Sequence, residues 1–187
     1  HVAMVVAQTQ QQARDAAQRK KRKPDFEILL ALTDGRLLAL GSGSTPQRMR
    51  GALIELPGTS AAASVRQIDL RPLFAALTPL VPEVNLEGAV VQGAQLLLFN
   101  RGSMAHPASH IIAVPLAAVL AGDVKAAKLC ATLTLPLCAG VPLTVTDAVR
   151  LETGHILLSA VAEATADSYA DGALAGAALV ELDANFT

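Results

Sequence analysis

Three acidic residues, Glu27, Glu87 and Asp147, recur at intervals of 60 residues. Carboxylates gathered at one place repel one another and resist ionisation unless a cation compensates them. A hard divalent cation such as Ca²⁺, held by oxygen donors, would answer that need. Lys23, Arg36 or Arg101 could instead neutralise the acids, or each acid could accept hydrogen bonds from backbone amides of a neighbouring unit. Arg101, in Asn100-Arg101-Gly102, carries the planar fork suited to a phosphate or carboxylate substrate; an ion pair with Glu87 or Glu163 is the alternative. The loop Gly41-Ser42-Gly43-Ser44-Thr45 could form an anion-binding nest with Ser42 and Ser44 at its rim, or be a plain connection. It is not a P-loop, since no Gly-Lys-Ser/Thr follows. Tyr169, the single tyrosine, could line a pocket or simply cap its repeat unit. His106, His110 and His155 show no metal-ligand spacing, and no Gly-x-Ser-x-Gly elbow occurs.

The acids open three similar stretches. Asp25–Pro46, Leu86–Gly102 and Thr146–Glu163 each place two apolar runs around a turn: Thr33-Asp34-Gly35, Gln92-Gly93-Ala94 and Glu152-Thr153-Gly154. This is the pattern of a β-hairpin. Strands are expected to follow at 50–56 and 65–70 in the first unit and at 110–116 and 128–137 in the second. The third unit reaches a strand at 177–182. Short helices are expected over 71–80, with Asp69 as N-cap and Pro72 in the first turn, and over 117–121. Four-stranded units at a fixed period predict a β-propeller, and an all-β sandwich is the alternative. Residues 1–24 read as the end of a preceding strand and a polar linker, and 25–187 as blades starting near 25, 86 and 146. Propellers close with four to eight blades, so about three blades imply part of a longer ring.

Composition narrows the function classes. With 52% hydrophobic residues, a net charge of −1 and 17% charged residues, the chain is expected to be soluble and to build a core. A near-neutral balance gives no field for nucleic acid, and the short basic run Arg19–Lys23 reads as a solvated loop. The least charged window, 129–145, is broken by Pro136 and Pro142 and is a poor membrane span. No charged-then-apolar leader opens the sequence, so a signal peptide is expected to be absent or already removed. Cys130 and Cys138 read as small buried hydrophobes. The compartment stays open between cytoplasm and periplasm.

Lys23–Glu27, Leu38–Pro46, Asn85–Gly88, Val145–Ala148 and Tyr169–Gly172 together resemble a family of uncharacterised bacterial β-propeller proteins. That family is more distantly similar to the esterase-like phytase propellers and to the gluconolactonase and regucalcin group. The resemblance implies a six-bladed propeller with no established activity. Propeller lactonases hold calcium at an axial mouth, which would assign Glu27, Glu87 and Asp147 as ligands. Two functions follow as expectations: a module binding a small molecule or protein at the propeller face, or a calcium-assisted hydrolase of lactonase or phosphoesterase type acting on a small anion.

Overall fold

The computed structural model describes residues 25–56, 63–164, 172–183 and 185–186. The strand expected over 1–7, the linker to residue 24 and Tyr169 lie outside them. Within them, twelve strands form three four-stranded antiparallel sheets. Sheet one is a meander of β1 (Phe26–Ala31), β2 (Leu37–Gly41), β3 (Arg50–Glu55) and β4 (Ser64–Asp69). Helix α1 (Arg71–Leu77) leads to sheet two, which repeats the meander in β5 (Leu86–Gln92), β6 (Gln95–Asn100), β7 (Ser109–Pro115) and β8 (Lys128–Leu133). Helix α2 (Leu116–Ala121) joins β7 to β8. Sheet three comprises β9 (Leu137–Cys138), β10 (Val141–Arg150), β11 (Ile156–Ala164) and β12 (Ala173–Leu182), in the spatial order β12-β11-β10-β9. No helix among the described residues is long and apolar enough to cross a membrane.

The hairpin turns follow their glycines. Gly35 donates to the Leu32 carbonyl and Gly154 to the Leu151 carbonyl, each at 3.0 Å. Both glycines sit at positive φ, 83° and 89°, a region closed to most side chains. In the middle hairpin Gln92 pairs directly with Gln95, so that loop is shorter. Helix α1 starts at Pro72's turn as expected, but Leu70, not Asp69, is its N-cap. Asp69 Oδ1 still accepts the Arg71 N–H at 3.0 Å. Strand β8 ends at Leu133 rather than 137, and the remainder folds back as β9 onto β10 around the Ala139-Gly140 turn. Both cysteines are free and half-buried, more exposed than the sequence suggests.

Burial explains why some strands alternate and others do not. Strand β6 reads LLLF and is buried on both faces: Leu96 and Leu98 face a core shared with Leu38, Leu40, Phe74 and Leu86, while Leu97 and Phe99 face Val145, Ile156 and Leu158. Sheet two therefore lies between sheets one and three. Strand β11 alternates buried with half-buried residues, as a strand with one face on a core should.

The first strand of each repeat packs on the next, β1 against β5 and β5 against β10. Each of these strands carries a bulge, at Glu27 in β1, Glu87 in β5 and Thr146 in β10. The expectation that all three acids occupy equivalent places thus holds for Glu27 and Glu87 and fails for Asp147, which lies one residue past its bulge. Counted from the bulges, Gly35 and Gly154 fall at the same offset, which restores the symmetry of the outer hairpins.

Gly88 lies where β5 and β10 approach closely. A Cβ there would lie 2.7 Å from Ala148 N and 3.0 Å from Asp147 C, and backbone atoms cannot swing aside as a flexible side chain can. Gly88→Ala is expected to destabilise the protein by about 1–3 kcal/mol, the usual cost of overpacking, read as a lower urea midpoint. An unchanged midpoint would mean that β5 and β10 stand further apart.

Candidate functional site

Bulges re-aim side chains, and the bulge in β5 sets the half-buried Glu87 beside Arg101, at the end of β6. Arg101 Nη1 lies 3.6 Å from Glu87 Oε1, and Nη2 donates to Glu163 Oε2 at 2.5 Å. Its Nε donates to Thr144 Oγ1 at 3.2 Å. One guanidinium from sheet two therefore joins a carboxylate of its own sheet to a carboxylate and a hydroxyl of sheet three. Glu163 Oε1 accepts the Gly172 N–H at 2.7 Å, and Asn85 Nδ2 donates to Glu87 Oε1 at 2.8 Å.

The electrostatic consequence falls on Glu87. Burial, first, and then the charge of Glu27 raise its pKa to about 7, although Arg101 and the Asn85 hydrogen bond pull the other way. Arg101 cannot fully offset this because its shorter contact goes to Glu163. Glu27 is exposed on the bulge of β1. Asp147 is exposed too, and its Oδ1 accepts the Ala148 N–H at 2.7 Å. Among the described residues no three His, Cys, Asp or Glu side chains group closely enough to hold a metal ion.

The Gly/Ser loop packs inward. Ser42 is buried, and its Oγ lies 3.0 Å from Ser44 Oγ, which accepts from Arg48 Nη1 at 3.0 Å. Arg48, itself buried, pairs with Asp25 at 2.8 Å. The Ser42 carbonyl accepts the Leu86 N–H at 2.8 Å, and the Asn85 carbonyl accepts the Arg101 N–H at 2.9 Å. Ser42 and Arg101 thus bind adjacent residues at the start of β5. Ser44 also lines a pocket of about 340 Å³ with Gly43, Met49, Phe74 and Thr78. Sequence reasoning singled out Arg101 and Glu87 and named Glu163 as a partner, but it passed over Thr144 and Arg48. A threonine within a strand carries no distinguishing signal; an arginine just before an apolar strand, three residues after a glycine-serine loop, carries a weak one.

Glu87 ties the site to stability. An unfolded glutamate titrates near 4.5 and the folded Glu87 near 7, so between these values the folded state keeps a proton that the unfolded state has released. Stability should therefore fall as pH rises from about 4.5 to about 7, by up to about 3 kcal/mol from this group. Glu87→Gln should flatten that slope and make the protein the more stable of the two at about pH 8. Equal slopes in urea titrations of both proteins would show that Glu87 ionises normally.

No curated protein and no solved structure matches the chain, so the resemblance to phytase and lactonase propellers gains no support from such matches. Residues 19–187 match a family of unknown function, DUF6910, and the chain belongs to that family.

Proposed function

We propose that the chain is a β-propeller binding module whose acidic axial end receives a cationic group of a small molecule or a protein. Three four-stranded antiparallel sheets, with β1 packed on β5 and β5 on β10, favour a blade-like arrangement, and β1 and β5 bring Glu27 close enough to Glu87 to affect its ionisation. The observation that carries the reading is the engagement of Arg101 by both Glu163 and Glu87. An arginine held by two carboxylates has little positive potential to offer an anionic substrate. Glu87, with Glu27 near enough to raise its pKa, offers negative potential instead. An incoming ammonium or guanidinium would favour the ionised form of Glu87 and relieve the repulsion from Glu27.

A calcium-assisted hydrolase is the second reading, with Glu27, Glu87 and Asp147 as ligands. Hard oxygen donors suit calcium, but the exposed Asp147 would have to give up its contact with the Ala148 N–H and move toward the other two. Ser42 is too enclosed to be the first contact of an anion, whereas Ser44 opens on a separate pocket.

The two readings part under titration. Calorimetry with arginine amide and spermidine should show binding that weakens from about pH 8 to about pH 6, as Glu87 takes up its proton, and that is lost in Glu87→Gln. Binding that ignores both the pH and the substitution would overturn the proposal. A rise in melting temperature on adding Ca²⁺, reversed by chelator and absent in Asp147→Asn, would favour the hydrolase instead.

A further inference from the structure

A pocket of about 340 Å³ lies between the Gly/Ser loop of sheet one, helix α1 and the connection from α1 to β5. Phe74 and Val81, both buried, and the half-buried Met49 supply its apolar wall. The polar side chains around it are Ser44, Thr78 and Glu83, and no lysine, arginine or histidine stands among the described residues that line it. Its volume falls at the small end for ligand sites and suits one ring with a short chain. These groups call for a hydrogen-bond donor. Thr78 Oγ1 donates to the Phe74 carbonyl at 2.8 Å, which leaves acceptor lone pairs only. The half-buried Glu83 carboxylate is engaged by no hydrogen bond or ion pair among the described residues, and an ionised carboxylate only accepts. The Arg48 guanidinium that donates to Ser44 Oγ is paired with Asp25, so it lends the pocket little positive charge. An ammonium brings three donors and the matching charge. We propose that this pocket binds a small arylalkyl amine, its ring against Phe74, Met49 and Val81 and its ammonium at Glu83 and Thr78 Oγ1.

The walls are fixed by contacts within the protein. Gly43 sits at a φ of 77°, and a Cβ there would overlap the Phe74 ring, so the loop backbone packs directly on the aromatic wall. On the other side the Glu83 carbonyl accepts from Asn100 Nδ2 at 3.0 Å, and the Asn85 N–H donates to Asn100 Oδ1 at 2.7 Å. The backbone that carries Glu83 is thereby pinned to β6. A ligand entering a pocket already formed pays little to order it. Glu87 does not line this pocket, so the site is distinct from the one proposed above, and the two take cations of different shape: here the apolar wall demands a ring beside the charge.

The probe is 2-phenylethylamine, titrated into the intact protein and followed by calorimetry and by amide NMR shifts. Saturable binding is expected, with shifts at Gly43, Ser44 and Val84. Glu83→Gln should weaken it by about tenfold, the worth of a hydrogen bond to a charged group. The same ring on a carboxylate, 3-phenylpropanoate, should leave those shifts unchanged, and this comparison needs no variant. Glu83 is only half-buried, so the substituted protein should fold, as circular dichroism will check. The proposal is overturned if the amine does not saturate, if the folded Glu83→Gln variant binds it as tightly as the parent does, or if 3-phenylpropanoate binds equally well. Loss of the shifts in Glu87→Gln but not in Glu83→Gln would also overturn it, by assigning the amine to the axial acids.

Discussion

Burial of β6 on both faces is the constraint from which the other features follow. Four consecutive large apolar residues, Leu96 to Phe99, cannot be shielded by one neighbouring layer, since alternate side chains point to opposite sides of a sheet. One layer must cover Leu96 and Leu98, and a second must cover Leu97 and Phe99. Sheets one and three do so, and that stacking brings the first strands β1, β5 and β10 alongside one another. Glycine at position 88 lets β5 and β10 come close enough for Arg101 of one sheet to reach Thr144 and Glu163 of the next.

That reach decides the character of the site. A half-buried arginine with one carboxylate partner would remain an anchor for a substrate anion, because little surrounding charge would be spent on it. With two carboxylates and a hydroxyl around it, Arg101 acts as a clasp between sheets. Leaving either carboxylate without the guanidinium would strand a desolvated charge, which costs more than a well-made pair contributes. The same interaction that joins the sheets thereby leaves Glu87 poorly compensated, and the unusual titration of Glu87 is the electrostatic residue of a structural bond.

The hairpins were legible because glycine turns and apolar runs act locally. What was not legible was non-local. The interval of 60 residues picks out Asp147, yet the third bulge falls at Thr146, because the pairing of β10 with β11 and not the acid fixes where the extra residue goes. Strand β9 is two residues long and has no pattern of its own. The first half of β12, with its alanines and glycine, has low strand propensity, and only the ladder offered by β11 makes it a strand. The inward turn of the Gly/Ser loop depends on Arg48 meeting Asp25, a pairing that no local spacing announces.

Moving the origin from the acids to the bulges exposes a second periodic row. Two residues before each bulge stand Asp25, Asn85 and Thr144, all polar and all nearly enclosed: the Asp25 side chain is 11% exposed, Asn85 2% and Thr144 4%. Buried polar groups persist where they are hydrogen-bonded, and each of these is. Asp25 receives Arg48, Asn85 donates to Glu87, and Thr144 accepts from Arg101. The first two bonds stay within a sheet and the third crosses to the neighbour. The row therefore fixes the direction in which each first strand enters its sheet, and the acids at the bulges inherit their positions from it. The positions of Glu27 and Glu87 rest on these paired neighbours, which fix how the chain enters each bulge.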